Sequence, residues 1–84
     1  MKTELLKEDD YYKTNDLALA GAISLWYSLA AIDKQNPSKV VWIFEKDEQL
    51  LELLEQYWRN ELKVEPQAYF YQIKKLKNQI YNSA

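Results

Sequence analysis

Apolar positions repeat at helical spacing between residues 15 and 27, where leucine, isoleucine, alanine and aromatic side chains cover most of the helical circumference. A helix that is apolar on almost every side is buried, so this pattern predicts the central helix of the fold. Thr14, Asn15 and Asp16 offer an N-cap and an early acid at its start. The single glycine, Gly21, costs roughly 1 kcal/mol relative to alanine inside a helix. A glycine at this position therefore predicts that another element packs closely against this helix.

A second helix is predicted to begin at an Asp47 cap and to run to about Asn60. Its period separates an apolar side from an acidic side that carries glutamates. The apolar side is predicted to contain Leu50, Leu51, Leu54, Tyr57 and Trp58. One face of this helix is therefore expected to pack and the other to face solvent.

A third helix is predicted to begin with Pro66, a residue that is favoured at the first helical position. Its period gives one apolar stripe. This stripe contains Tyr69, Ile73, Leu76 and Ile80, with Phe70 and Lys77 beside it. The opposite side is polar and is expected to face solvent.

Between the first and second helices, two short runs are typical of β-strands. They cover residues 29–34 and 39–45, and the turn signal Asn36-Pro37-Ser38 separates them. Both faces of the second run are apolar, with Val40, Trp42 and Phe44 on one and Val41 and Ile43 on the other. Such a strand needs other elements of the fold packed on both of its faces, or a partner molecule that covers one of them.

The predicted fold is a single small α+β domain of order α-β-β-α-α, in which a β-hairpin packs against helices. Residues 1–10 show neither a cap nor a period and are predicted to form an N-terminal tail, with the domain covering 11–84. A lone two-stranded hairpin is marginally stable in water. Three remedies stay open: cover by the helices, a third strand from residues 62–65, or pairing of strand edges between two chains.

The composition lacks most of the side chains that enzymes use for catalysis. The chain contains no His and no Cys, and it has one Gly. These absences exclude an imidazole base, a thiolate nucleophile, the usual zinc and blue-copper sites, and a glycine-rich phosphate loop. We therefore predict no catalytic residue, no cofactor and no metal, and a protein that is not an enzyme.

The charges are divided unevenly along the chain. The net charge is −2, yet all 13 acidic residues lie within residues 1–66, while residues 67–84 contain only lysines among charged residues. The first ten residues do not resemble a signal peptide, and the weakly charged stretch 17–32 is shorter than the roughly 20 residues of a membrane-spanning helix. Together with the absence of Cys, this predicts a soluble cytoplasmic protein without a membrane partner.

Four short motifs, taken in order, resemble a small bacterial family of unknown function. The first is an aromatic-x-Thr-x-Asp-Leu-x-Leu-Ala start, which is residues 12–20 here. Val-x-x-x-Phe-Glu follows at 40–45, Val-x-Pro-x-x-Tyr at 64–69, and Leu-Lys at 76–77. The resemblance covers residues 11–82 and implies the order of the elements only, because the family has no established activity. Where the family commonly has Asp before the proline, this chain has Glu65, a poorer cap.

The polar side of the third helix is the first candidate binding surface. Its candidate contacts to nucleic acid or to an acidic partner are Lys74, Lys75, Lys77 and Asn78. Lysines and amides hold phosphates, and the nearby Tyr71 and Tyr81 offer rings on which bases stack. Three lysines are a short footprint, and the acidic remainder of the chain opposes a polyanion. A solvated helix face is the simpler explanation.

Acidic residues around the second helix are the second candidate. They are Glu45, Asp47, Glu48, Glu52 and Glu55. Such a set attracts a basic partner, but the EF-hand pattern is missing, so a calcium loop is not expected. Here, too, a solvated helix face is the simpler explanation.

Aromatic residues are the third candidate, because a domain this small cannot bury three Trp, seven Tyr and two Phe. Rings left on a surface are typical interface anchors. The rings predicted to be in the core are Trp26, Trp42, Tyr57 and Tyr69. Tyr71 and Tyr81 lie off the inward stripe and are predicted to make contacts.

These features favour a small non-enzymatic module that binds a protein partner, and another copy of the same chain is one candidate for that partner. The candidate interface residues are Val41, Trp42, Tyr71 and Tyr81. Two copies would pair their hairpin edges, or set the basic helix of one chain against the acidic helix of the other. The alternative is a small nucleic-acid-binding or regulatory module that uses the third helix. The two hypotheses differ in their response to salt. Affinity for nucleic acid falls steeply as salt rises, because phosphate contacts release counterions, whereas an apolar self-interface is little affected.

Overall fold

The described part of the chain contains three strands and three helices. The computed structural model describes residues 10–36 and 38–82. The elements are β1 (Tyr11–Thr14), α1 (Leu17–Ile23), β2 (Ala31–Asp33), β3 (Val41–Glu45), α2 (Glu48–Trp58) and α3 (Pro66–Asn82). The α+β class and the order α-β-β-α-α from α1 onward are confirmed, and β1 precedes them as an unpredicted strand. Residues 1–9 of the predicted tail, Pro37 of the predicted turn and residues 83–84 lie outside the described residues.

The three strands form one antiparallel sheet of order β1-β3-β2. Tyr12 lies opposite Phe44 and Thr14 opposite Trp42, so β1 continues the predicted hairpin on its far side. This strand supplies the third member that a hairpin requires for stability. The alternative third strand at residues 62–65 is wrong, because these residues take no part in the sheet.

The sheet packs one face against the helices. Trp42 and Phe44 of the central strand β3 point to this side and are buried. Val41 and Ile43 alternate with them and are half-buried on the opposite face. Of the two apolar faces of β3, only the one that carries Trp42 and Phe44 belongs to the core.

Helix α1 is shorter than predicted at both ends. It begins at Leu17, because Thr14 is paired in the sheet and Asp16 is extended, with its carboxylate accepting hydrogen bonds from the backbone N–H groups of Ala18 and Leu19. It ends at Ile23, because the N–H groups of Leu25 and Trp26 bond to carbonyls three residues back rather than four. The prediction of a helix over 15–27 is corrected accordingly.

Gly21 is a point of close approach between α1 and α3. A Cβ atom on Gly21 would lie 2.5 Å from Cδ1 of Ile73 and 3.3 Å from Cε1 of Tyr69. The Tyr69 hydroxyl donates a 2.8 Å hydrogen bond to the carbonyl oxygen of Ala18 on the same helix. The predicted close packing at this glycine is confirmed, and α3 is the element that approaches.

The two later helices have the predicted starts. Asp47 caps α2 by accepting a 2.8 Å hydrogen bond from the N–H of Leu50. Glu65 accepts a 2.7 Å hydrogen bond from the N–H of Ala68, so it fills the capping position of α3 although Glu is a poorer cap than Asp. The cluster of buried core residues is Leu19, Ala20, Ile23, Trp42, Phe44, Leu50, Leu53, Leu54 and Leu76.

Candidate interaction surfaces

One side of α3 carries exposed rings and lysines together. We call this side the α3 outer face; it consists of Phe70, Tyr71, Lys74, Lys77, Asn78 and Tyr81. The side chains of Phe70, Tyr71 and Tyr81 are 63%, 62% and 79% exposed. Their helical spacing places them within about 120° of the helix circumference, beside the inward stripe and on the side of the helix that faces solvent. The face extends about 16 Å along the helix axis between Phe70 and Tyr81.

The inward stripe of α3 is as predicted. Leu76 is buried, and Tyr69, Ile73 and Ile80 are half-buried. Phe70 follows Tyr69 by one residue and is therefore rotated by about 100° from it, out of the stripe and into solvent. Phe70 thus belongs to the outer face and, like Lys77, is exposed at the edge of the inward stripe beside which it was predicted to lie.

Helix α2 also has an exposed side. Its predicted acidic side is confirmed, since Glu48, Glu52 and Glu55 are exposed while Leu50, Leu53 and Leu54 are buried. The predicted apolar side is corrected at two positions, because Leu51 and Trp58 are exposed. They are seven residues apart and so lie on one flank, about 10 Å apart along the axis.

The charges on α2 are solvated. Arg59 lies 3.7 Å from the Glu55 carboxylate, and both side chains are more than 60% exposed. An exposed pair of this kind contributes little to stability. The exposed side of α2 therefore remains a largely acidic surface with two apolar residues at its edge.

A cavity of about 400 Å³ lies between α2 and the segment that follows α1. We call it the Trp26 cavity. Trp26 and Tyr27 line one side, and Gln49, Glu52 and Gln56 line the other. The remaining lining residues are Leu53 and Leu62. Trp26 is 54% exposed, so its predicted place in the core is wrong.

Tyr27 is held in place at this cavity. Its hydroxyl donates a 2.7 Å hydrogen bond to Oδ1 of Asp47, the N-cap of α2. Burial, the hydrogen bond and the charge of Asp47 raise the pKa of Tyr27 to about 12. The N–H of Leu50 and the Tyr27 hydroxyl lower the pKa of Asp47. The ring of Tyr27 is thereby fixed relative to α2.

A second cavity, also of about 400 Å³, shares Trp26 and Tyr27 with the first and reaches α3. Lys75 lines it with Gln72 and Gln79. Lys75 therefore lies apart from Lys74 and Lys77, and the predicted lysine cluster is divided between this cavity and the α3 outer face. The side-chain oxygen of Gln79 is buried without a hydrogen-bond partner in the described chain.

The predicted interface residues separate into three environments. Tyr71 and Tyr81 lie together on the α3 outer face with Lys74, Lys77 and Asn78. Val41 is half-buried on the open face of the sheet. Trp42 is 3% exposed and packs in the core, where it cannot touch a partner directly.

Four exposed apolar residues were missed by the sequence predictions of contact sites: Trp26, Leu51, Trp58 and Phe70. The helical angle gave a usable signal for Phe70, because it differs by about 100° from that of Tyr69. Hydrophobicity gave no such signal for the two tryptophans, since it favours burial for both.

Over residues 10–36 and 38–82, no group of three or more Asp or Glu side chains is arranged to hold a metal ion. None of the helices described for this chain is long and apolar enough to cross a membrane.

Comparison with known proteins gives a family but no activity. The family model described as "Domain of unknown function (DUF5659)" matches residues 9–82. No curated protein matches the chain significantly, and neither does any solved structure. Because the match covers almost the whole chain, including every described strand and helix, this protein belongs to the DUF5659 family of unknown function.

Proposed function

We propose that the domain is a small non-enzymatic module that binds a protein partner through the α3 outer face. The observation that carries the proposal is the exposure of three rings, Phe70, Tyr71 and Tyr81, on one side of one helix. Several exposed aromatic rings on one side of a single helix are typical of interaction sites. Aromatic rings are also the side chains most often found at the energetic centre of protein interfaces.

Lysines distinguish this face from a purely apolar one. Lys74 and Lys77 lie between Phe70 and Tyr81 along the helix, and α3 contains no acidic residue. A partner surface with carboxylates beside apolar side chains would therefore match it. The rings would supply most of the affinity, and the charges would select the partner and its orientation.

A second copy of the domain offers such a partner surface. The exposed side of α2 carries Glu48 and Glu55 beside Leu51 and Trp58. Acidic and apolar groups on α2 thus complement basic and apolar groups on α3. In a two-fold dimer each chain would contribute both surfaces, so the same contact would occur twice.

Sedimentation velocity over a range of protein concentrations tests self-association. The wild-type chain is expected to shift towards twice the monomer mass as its concentration rises. The variant Lys74→Glu/Lys77→Glu is expected to remain a monomer, because like charges would then face α2. Lys39→Glu/Lys63→Glu is the matched control, since it makes the same change of net charge at exposed positions outside both helices.

A wild-type chain that stays monomeric at every concentration would contradict self-association. Equal effects of the two double variants would contradict the location on α3, because only total charge would then matter. Circular dichroism of each variant shows whether it keeps its helices. Phe70→Ser/Tyr81→Ser tests the contribution of the rings and is expected to weaken association at both low and high salt.

Single-stranded nucleic acid is the second candidate ligand for the same face. The observation that favours it is the alternation of exposed rings with lysines, since bases stack on rings while lysines contact phosphates. Fluorescence anisotropy with labelled random DNA and RNA tests this candidate at two salt concentrations. Binding that falls steeply with salt and is abolished by Lys74→Glu/Lys77→Glu would support it.

The proposed setting is the cytoplasm. What supports it is the absence of Cys from the sequence, which suits a reducing compartment. Fluorescence microscopy of a tagged chain in cells tests the location, and accumulation at a membrane would contradict it.

A further inference from the structure

We propose that the Trp26 cavity binds a basic side chain, arginine or lysine, of a partner protein. This site is separate from the α3 outer face and does not depend on self-association. It lies where the segment after α1 meets α2, and it combines aromatic, acidic and amide groups.

The aromatic side of the cavity suits a cation. The indole of Trp26 is more than half exposed, and Tyr27 follows it as a second ring in the lining. A guanidinium or ammonium group over an aromatic face is attracted by the negative charge of that face, and Trp is the best of the aromatic residues for this contact. These rings therefore favour a positively charged group over a neutral polar one.

The α2 side of the cavity supplies hydrogen-bond acceptors. Gln49, Glu52 and Gln56 are spaced by three and four residues, so they lie on one flank of the helix. A guanidinium has five N–H donors and no acceptor, and it matches a carboxylate with amide oxygens beside it. No lining residue is basic, and the Glu52 carboxylate disfavours an anion.

The apolar lining suits the stem of a long basic side chain. Leu53 is buried and Leu62 is half-buried at the cavity. Arginine and lysine place their methylene groups along apolar surfaces while the charged end reaches polar partners. The volume of about 400 Å³ is within the usual range of pockets for small ligands.

The site is organised before a ligand arrives. The hydrogen bond from Tyr27 to Asp47 joins one wall of the cavity to the N-cap of the helix that forms the other wall. A preformed site loses less conformational freedom on binding. The Asp47 carboxylate beside Tyr27 adds negative charge near the cavity.

An NMR titration of the full 15N-labelled chain with Nα-acetyl-L-arginine methylamide tests the proposal. We expect shifts of the Trp26 indole N–H and of backbone amides in 49–56. The corresponding lysine compound should cause shifts at the same positions. The citrulline compound, which has nearly the shape of arginine without its charge, should bind at least tenfold more weakly.

Two matched variants locate the charge. Glu52→Gln is expected to weaken arginine binding about tenfold, the effect of losing one hydrogen bond to a charged group. Glu55→Gln makes the same change on the same helix, outside the cavity lining, and is expected to change affinity less than twofold. Trp26→Leu should weaken binding further, and the dispersion of its NMR spectrum shows whether the domain remains folded.

Four results would overturn the proposal. The first is the absence of arginine-dependent shifts at tens of millimolar ligand. The second is equal binding of the citrulline compound, and the third is an equal loss of affinity in Glu52→Gln and Glu55→Gln. Binding of an anionic compound, Nα-acetyl-L-glutamate methylamide, at the same residues would also contradict it.

Discussion

The hydroxyl of Tyr27 donates its hydrogen bond to the same Asp47 oxygen that accepts the N–H of Leu50. One carboxylate oxygen therefore caps helix α2 and also binds Tyr27, in the segment that follows α1. This arrangement fixes α2 relative to the end of α1, between which the Trp26 cavity lies. The pKa values of both Tyr27 and Asp47 are shifted at this contact, so it makes the stability of the fold depend on pH.

Tyr27→Phe is predicted to reduce the dependence of stability on pH at both ends of the range. The pKa of Asp47 is lowered in the folded state, so its stabilising effect is present above its ordinary value of 3.8 and is lost as the pH falls through the folded pKa. The pKa of Tyr27 is raised to about 12, so its effect is present below its ordinary value of 10.0 and is lost as the pH rises towards 12.

Urea unfolding from pH 3 to pH 11, with an NMR titration of the Asp47 carboxyl group, measures these effects. In Tyr27→Phe the pKa of Asp47 should rise towards its ordinary value but remain below it, because the hydrogen bond from Leu50 persists. Tyr71→Phe is the control, since it removes an exposed hydroxyl on α3. An unchanged Asp47 titration in Tyr27→Phe would show that the hydrogen bond is not formed in solution.

Gly21→Ala is predicted to destabilise the domain by about 1 kcal/mol. Alanine improves helix propensity by roughly 1 kcal/mol, but crowding of a packed interior costs about 1–3 kcal/mol. The new methyl group would lie 2.5 Å from Cδ1 of Ile73 and 3.3 Å from Cε1 of Tyr69, so the Ile73 side chain must move and the contact with Tyr69 becomes crowded. Urea unfolding measures the change, and a more stable variant would contradict the observed distance between α1 and α3.

Ile73→Val should partly rescue Gly21→Ala. This change removes the Cδ1 atom that the new methyl group would meet first. The double variant is therefore expected to be less destabilised than the sum of the two single variants, with an interaction energy of about 0.5–1 kcal/mol. Strict additivity of the two changes in unfolding free energy would indicate that the side chains do not meet.

Trp42→Ala is predicted to destabilise the fold by about 3–5 kcal/mol, because the side chain fills the core against the sheet. Trp42→Phe should cost less, since it keeps a ring and removes an indole N–H that is buried without a partner in the described chain. Urea unfolding of both variants measures the difference. Equal losses would mean that the N–H makes a stabilising bond in solution.

Local chemistry explains which parts of the fold were predictable. The cap at Asp47 and the start of α3 at Pro66 depend on residues next to one another in sequence, and both are observed. Asp16 was predicted as an early acid inside α1 and is instead its N-cap, because the pairing of Thr14 in the sheet moves the start of the helix to Leu17. Strand β1 has only four residues, and its pairing partner β3 lies some 30 residues later in the chain. Nothing within such a short run distinguishes a strand from a loop until the partner is known.

The candidate sites divide in the same way. The polar side of α3 follows from the helical period, and the predicted outward residues Tyr71, Lys74, Lys75 and Asn78 are exposed as that period requires. The Trp26 cavity could not be predicted, because its two sides come from segments about 25 residues apart. The exposure of Trp58 could not be predicted either, because hydrophobicity does not show which ring a small core leaves out.

Intermolecular paramagnetic relaxation tests the α3 interface most directly. The natural chain has no Cys, so a spin label can be attached at the single variant Gln67→Cys, which is exposed on the first turn of α3. Spin-labelled chain is then mixed with 15N-labelled wild type. The proposed dimer predicts broadening of the α2 amides, 48–58, in the 15N-labelled copy. Broadening confined to β3, or none at concentrations where the chain associates, would contradict the proposed contact between α3 and α2.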